Sequence, residues 1–295
     1  MFSIRDRVVA RVIAGALAAL SAGVAAATYQ YAVQTGSGQR FDAAAVNTVY
    51  AGRDARLAVL SVLGYVSIGA VVIAMIVSIS MALARGHVRW AMGAVVVIVG
   101  ANVSTQVLKH LVLDRPDFGL LTLNSLPSGH TTVVASATAA TLLAAPPALR
   151  PVVVLGGAIA TTLTATSTIV AGWHRPSDIV AALAVCLFWA AVASAVVSRR
   201  IVWTRTTVPA AVVGAAAGVM ALGVLGVRPT TGWGGVVEAA LVLGALAATV
   251  SVFVASVAVL AFDDDVSRET FDDDADAGSA VGVAGSSLTP DRPWS

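Results

Sequence analysis

The amino-acid sequence predicts an all-α fold, a polytopic bundle of transmembrane helices, and two observations predict it. Of the 295 residues, 58% are hydrophobic and only 12% are charged, whereas soluble domains carry about 25% charged residues. Eight apolar stretches also have about the ~20 residues that a helix needs to cross a bilayer. They are residues 8–28, 57–82, 90–112, 131–149, 151–171, 177–198, 207–227 and 234–262. Because loops and sheet edges leave polar groups unsatisfied in lipid, these spans are predicted to be helices.

Two of these stretches have an alternative interpretation or an uncertain end. Arginines precede the Ala-rich run of the first stretch, as in a cleaved signal peptide. Because seven more spans follow, an uncleaved first helix is favoured. The fourth and fifth stretches abut at Pro146-Pro147 and Pro151, so the sequence defines this boundary least well.

The distribution of cations predicts how the chain is oriented in the membrane. Short cytoplasmic loops are enriched in Lys and Arg. Leaving aside the motifs described below, nine arginines fall on one side, at positions 5, 7, 11, 85, 89, 150, 199, 200 and 205. Four fall on the other side, at positions 40, 53, 56 and 228. The first side is therefore predicted to be cytoplasmic and to hold both termini.

The chain consists of two regions that differ in composition. Residues 1–262 are predicted to form the transmembrane domain. Residues 263–295 hold nine of the 16 acidic residues and little apolar content. That composition is typical of a disordered tail, which the orientation places in the cytoplasm.

Polar clusters beside the apolar stretches are candidates for a functional site. The clusters are Pro127-Ser128-Gly129-His130, His174-Arg175-Pro176-Ser177-Asp178, and Lys109 with Arg115. Lys109 is the only lysine of the chain. Ionisable residues in membrane segments usually have a function. All three clusters are predicted to lie on the outer face.

Each cluster offers chemistry that suits a phosphate ester. Arg matches phosphate with a planar fork and Lys with a point charge. Ser128 is a good helix N-cap, and the free N–H groups of a helix start bind anions. Gly129 allows close approach of the backbone to a ligand. An ordinary capped helix start explains Ser128 and Gly129 equally well.

His174 and Asp178 are four residues apart at the start of the sixth stretch. On a helix that covers both, they share a face. A carboxylate selects one tautomer of the histidine and supports the imidazolium that forms when the other nitrogen reacts. A purely structural His–Asp cap is the alternative.

These residues resemble the type 2 phosphatidic acid phosphatase superfamily, membrane lipid phosphate phosphatases related to soluble vanadium haloperoxidases. The signature of that family is KxxxxxxRP, then PSGH, then SRxxxxxHxxxD. The corresponding segments here are Lys109 to Pro116, Pro127 to His130, and Ser167 to Asp178. The resemblance covers residues 90–198. It implies a six-helix phosphatase core at about residues 57–198, followed by about two extra C-terminal helices.

The resemblance also implies a role for each residue. His174 would attack phosphorus and form a phosphohistidine, Asp178 would orient His174, and His130 would protonate the leaving oxygen. The phosphate would be held by Lys109, Arg115, Ser128 and Gly129. No metal and no other cofactor is implied.

Two positions depart from the family signature. One residue fewer separates Lys109 from Arg115, so the pair fits only if the helix ends before Arg115. Pro116 favours such an end, because the residue before a proline disfavours helix. Thr168 occupies the position of the family arginine, and Arg175 is the candidate to replace that phosphate contact.

The sequence therefore predicts a multi-pass phosphatase of the cytoplasmic membrane, with its active site facing outside. The substrate would be phosphatidic acid, phosphatidylglycerophosphate or a polyprenyl mono- or diphosphate. The partners are this substrate and membrane lipids, without nucleic acid, and no oligomeric state is predicted. A phosphotransferase with the same site and a non-catalytic lipid-phosphate binder or transporter are the alternatives.

Overall fold

A computed structural model describes residues 4–66, 68–120, 123–197, 204–230 and 232–262. Ten α-helices make up most of these residues, with almost no sheet. They are α1 Ile4–Thr28, α2 Gly36–Val46, α3 Arg53–Gly64, α4 Ile68–Ala84, α5 Val88–Val107, α6 Gly129–Ala144, α7 Arg150–Val170, α8 Pro176–Val197, α9 Thr207–Val224 and α10 Gly232–Val259. The all-α prediction is confirmed.

Membrane-length helices account for most of the predicted spans. Within the described residues, six helices are long and apolar enough to cross a bilayer, and α3 with α4 adds a seventh if the bent pair is one span. The chain is therefore a multi-pass membrane protein. The predicted tail, 263–295, lies outside the described residues.

The second predicted span, 57–82, is wrong as a single helix. Helices α3 and α4 meet at a bend of 48°. The chain makes tight turns where α3 ends: the N–H of Tyr65 donates to the carbonyl of Val62, and the N–H of Val66 donates to that of Leu63. Gly64, which has a high entropic cost in a helix, precedes this break.

The fourth predicted span, 131–149, is a helix too short to cross a bilayer unaided. Helix α6 has 16 residues, which at 1.5 Å each is about 24 Å, against a hydrocarbon core of ~30 Å. Pro146 and Pro147 follow its end. Most of its residues are buried, because α6 packs against α4, α5, α7, α8 and α10. It forms the centre of the bundle rather than a lipid-facing wall.

A small sheet joins two of the connections between helices. Strand β1 (Val49–Ala51) pairs antiparallel with β2 (Val227–Pro229). The first follows α2 and the second lies between α9 and α10. The C-terminal helices are therefore tied to the connection that follows α2. This end of the bundle, which also holds the loops before α6 and α8, is called the site end below.

Candidate active site

A cavity of about 760 Å³ brings the three motifs together at the site end. Its lining residues are Val66, Val71, Asn102, Gln106, Lys109, Asn124, Ser125, Gly129, His130, Val133, Trp173 and His174. The lining combines three valines with amide side chains, a lysine and two histidines. The cavity thus suits a ligand with a charged group and an apolar part.

Lys109 reaches the cavity from the end of α5. There the helix widens into one π-helical turn, Leu108–Val112, and the backbone becomes extended at Leu113. Such turns often occur at functional sites. The helix thus ends before Arg115, as the shortened first motif requires. Asn124 fastens the following loop, because its side-chain amide donates to the carbonyls of Lys109 and Leu113 at 3.2 and 2.8 Å.

His130 is placed by the start of α6. The predicted N-cap is confirmed: the hydroxyl of Ser128 accepts from the backbone N–H of Thr131 at 3.3 Å. Ser128 itself is fully buried, so its predicted contact with phosphate stays a prediction. The half-buried ring of His130 lies 5.3 Å from the ring of Trp173, centroid to centroid.

His174 and Asp178 form a direct pair. The Nδ1 atom of His174 lies 3.1 Å from Oδ2 of Asp178. Helix α8 begins only at Pro176, so the pair forms across the helix start rather than along one face of a helix. A carboxylate only accepts hydrogen bonds, so Nδ1 carries the proton. Nε2 is left with its lone pair, as a nucleophile requires.

Asp178 is itself held by two further donors. Its Oδ2 accepts from the hydroxyl of Ser125 at 2.6 Å and from the backbone N–H of Arg175 at 3.0 Å. The side chain is fully buried. Its backbone carbonyl also accepts from the N–H of Ser128 at 2.9 Å. The second and third motifs are therefore hydrogen-bonded to each other.

Arg175 joins this network from the other side. Its Nη1 donates to the hydroxyl of Ser125 at 2.9 Å. Arg175, Ser125 and His174 line a second polar cavity of about 430 Å³ beside the first. The hydroxyl of Ser125 thus links the guanidinium of Arg175 to Asp178, the residue that pairs with His174.

Arg115 is not among the residues that line either cavity. Its three guanidinium nitrogens are buried and have no hydrogen-bond partner among the described residues. Burial, and next the positive charge of Arg175, lower the pKa of Arg115, while Asp178 and Asp42 act against this shift. A buried cation without hydrogen bonds is costly, and an anion nearby would offset that cost.

Thr168, at the position of the family arginine, is fully buried and lines neither cavity. Its hydroxyl donates to the carbonyl of Ala165 at 2.7 Å. Its own carbonyl accepts from the N–H groups of Trp173 and His174 at 3.0 and 3.2 Å. The residue therefore shapes the turn that leads to His174.

Several residues that line the cavity were not predicted from the sequence. Asn102, Gln106 and Lys109 follow one another at helical spacing in an apolar helix, and that polar stripe was a usable signal. Ser125 had no such signal, because its role depends on a contact with Asp178, 53 residues away.

Metal binding needs a cluster of ligands. Among the residues that the structure describes, no three His, Cys, Asp or Glu side chains come close enough to hold an ion.

The fold and the cavity define a class: a multi-pass membrane protein with two histidines and a lysine around one cavity, one histidine paired with a carboxylate. Comparison with known proteins makes the class specific. Residues 90–202 match the family model of the PAP2 superfamily, which confirms the resemblance of the motifs. This part of the chain is therefore similar to a superfamily of phosphatase-like membrane proteins. No curated protein and no solved structure matched it.

Proposed function

We propose that this protein removes phosphate from a lipid phosphate through a phosphohistidine at His174. The observation that carries the proposal is the pairing of His174 with Asp178 in the cavity that His130 and Lys109 also line. Pure binding of a phosphate needs cations but neither a nucleophile nor an acid. The His–Asp pair and the second histidine therefore favour catalysis over the non-catalytic binder.

The proposed reaction has two steps. Nε2 of His174 forms a bond to phosphorus as the bond to the lipid oxygen breaks, and protonated His130 gives its proton to that oxygen. Asp178 stabilises the positive imidazole ring. A water molecule then attacks phosphorus, His130 takes a proton from it, and the bond to His174 breaks. Phosphate and the lipid alcohol are the products.

The phosphate oxygens would be held by cations and N–H groups. Lys109 and the backbone of Gly129 line the cavity, and we propose direct contacts for them. Arg115 and Arg175 supply further positive charge close by, which counts for more away from bulk water. Ser128 is proposed to contribute by capping the start of α6, which positions Gly129 and His130.

An amphiphilic substrate fits a cavity lined by both polar and apolar residues. The phosphate would lie at the polar residues and the chain beside Val66, Val71 and Val133. Phosphatidic acid, phosphatidylglycerophosphate and polyprenyl mono- or diphosphates meet this description. The orientation predicted from the arginine distribution of the sequence supports a site on the outer face of the cytoplasmic membrane.

A phosphotransferase is the second candidate, and the second polar cavity favours it. Asn47, Asn124, Ser125 and Arg175 offer polar groups there, next to His174. An acceptor alcohol bound in this cavity would replace water in the second step. Product analysis in the presence of glycerol separates the two: a transferase yields glycerol phosphate, and a hydrolase yields free phosphate.

Phosphate release by the purified protein tests the proposed function. We expect release in detergent from at least one of the three lipid classes, at the same rate with and without EDTA. His174→Ala is expected to remove this release. Loss of activity in EDTA would instead show a metal requirement, and equal release by the variant would overturn the phosphohistidine.

We expect Arg175 to make the phosphate contact that the arginine of the family signature, replaced here by Thr168, would make. Arg175→Gln should lower kcat/KM about 10- to 100-fold, since losing charged hydrogen bonds costs about 1.5–3 kcal/mol. Thr168→Val should stay within about twofold of wild type, because the Thr168 hydroxyl is turned into its own helix. Arg228→Gln, an exposed change on β2, is the matched control. A loss in Thr168→Val as large as that in Arg175→Gln would contradict this assignment.

A further inference from the structure

Asp42 is a buried carboxylate that none of the three motifs contains. It lies on α2, outside the family match at 90–202, and is only 3% exposed. Its Oδ1 accepts from the backbone N–H of Ser177 at 3.1 Å, and its Oδ2 accepts from the Ser177 hydroxyl. Ser177 is the second residue of α8 and directly precedes Asp178.

This contact fixes the start of α8. The first N–H groups of a helix have no partner within the helix, and its N-terminus is partly positive. Asp42 supplies both a hydrogen-bond acceptor and a negative charge there, from a different helix. The His174–Asp178 pair spans the same helix start, so an anchor on Ser177 also sets where the pair lies.

Asp42 also interacts electrostatically with Arg115 and Asp178. Arg115 and Asp178 both influence the pKa of Asp42. Burial raises that pKa, and the two hydrogen bonds from Ser177 act against the rise. The carboxylate of Asp42 is thus hydrogen-bonded to Ser177 of the third motif and interacts electrostatically with Arg115 of the first.

Helix α2 is well placed to hold Asp42 still. The side-chain amide of Gln39, one turn earlier, donates to the carbonyls of Val33 and Pro116 at 2.8 and 2.9 Å. The segment just after α2 is hydrogen-bonded to Thr230, whose N–H and hydroxyl donate to the carbonyl of Thr48. Hydrogen bonds to Val33, before residues 90–202, and from Thr230, after them, therefore hold the helix that carries Asp42.

We propose that Asp42 is a positioning residue of the active site. It holds Ser177 so that the His174–Asp178 pair keeps its geometry, and it balances the charge of Arg115. Asp42 makes no contact with substrate in this proposal and is therefore not a catalytic residue. The inference rests on the proposed phosphatase function.

A merely structural cap would lower stability without changing the turnover of folded molecules. Asp42→Asn separates the two roles, because asparagine keeps the size of the side chain and one acceptor oxygen while losing the charge. Asp54→Asn is the matched control, since Asp54 is exposed in the first turn of α3. Ser177→Ala and the double variant Asp42→Asn/Ser177→Ala complete a mutant cycle.

The experiment measures kcat and KM per folded molecule, with wild type and His174→Ala beside these variants. We expect Asp42→Asn to lower kcat about tenfold or more with KM within about twofold, because small displacements of catalytic groups cost up to about 10²-fold. The double variant should lose no more than about twofold beyond the worse single variant.

Two results would overturn the positioning role. One is a kcat of Asp42→Asn equal to that of Asp54→Asn, and the other is losses that multiply in the double variant. In both, wild type stays active and His174→Ala inactive, so the phosphatase function stands. If wild type and His174→Ala behave alike, the proposed function itself fails and the inference falls with it.

Discussion

His174→Ala is expected to lower kcat for phosphate release by about 10⁴-fold or more, as removal of a nucleophile does in other hydrolases. The imidazole is held at 3.1 Å from Asp178 and lines the cavity with His130 and Lys109. Alanine leaves no group there that can bond to phosphorus. Phosphate release is measured at saturating lipid, and the phosphoenzyme is trapped with a radiolabelled substrate.

His110→Ala is the matched control for this variant. His110 is exposed and lies in the same π-helical turn as Lys109. We expect its kcat to stay within about twofold of wild type and its label to be trapped normally. Trapped label in His174→Ala would mean that another residue is the nucleophile, with His130 the first candidate.

Asp178→Asn is expected to lower kcat by about 10³- to 10⁴-fold, as in other His–Asp pairs that lose the carboxylate. The carboxylate accepts from His174, from Ser125 and from the N–H of Arg175 through one oxygen. Asparagine can satisfy these donors only in part, and it no longer stabilises a positive imidazole ring. Lipid binding should change little, because Asp178 is buried behind His174.

Kinetics and thermal unfolding together check this variant. The change also disturbs a buried network, so the melting temperature is measured and kcat is expressed per folded molecule. Asp54→Asn again serves as the exposed control. A kcat within about tenfold of wild type would show that Asp178 is a structural cap, which is the alternative that the sequence left open.

Local sequence signals were sufficient for most of the architecture. Apolar length located a helix within each of the eight stretches, because a span must satisfy its backbone internally. Ser128 began α6 as its capping preference indicates, and α5 with its π-helical turn ended before Arg115 and Pro116. These features depend on residues within one or two turns of each other.

The bend between α3 and α4 and the central position of α6 were not predictable in this way. A hydropathy pattern reports whether a stretch is apolar, but lipid and protein are both apolar surroundings. Helix α6 is surrounded by five other helices, so its apolar residues face protein, and it need not be long enough to cross a bilayer.

The motif residues were found because their side chains are rare in apolar segments, but the contacts that hold them were not. Ser125 lies 53 residues from Asp178, and Asp42 lies 135 residues from Ser177. A single sequence carries no record of such pairs. Their meeting is a consequence of how the helices pack, since packing brings α2 and the loop before α6 onto the start of α8. Composition and local spacing therefore specify the helices and the reactive groups, whereas packing specifies which groups orient and charge-balance them.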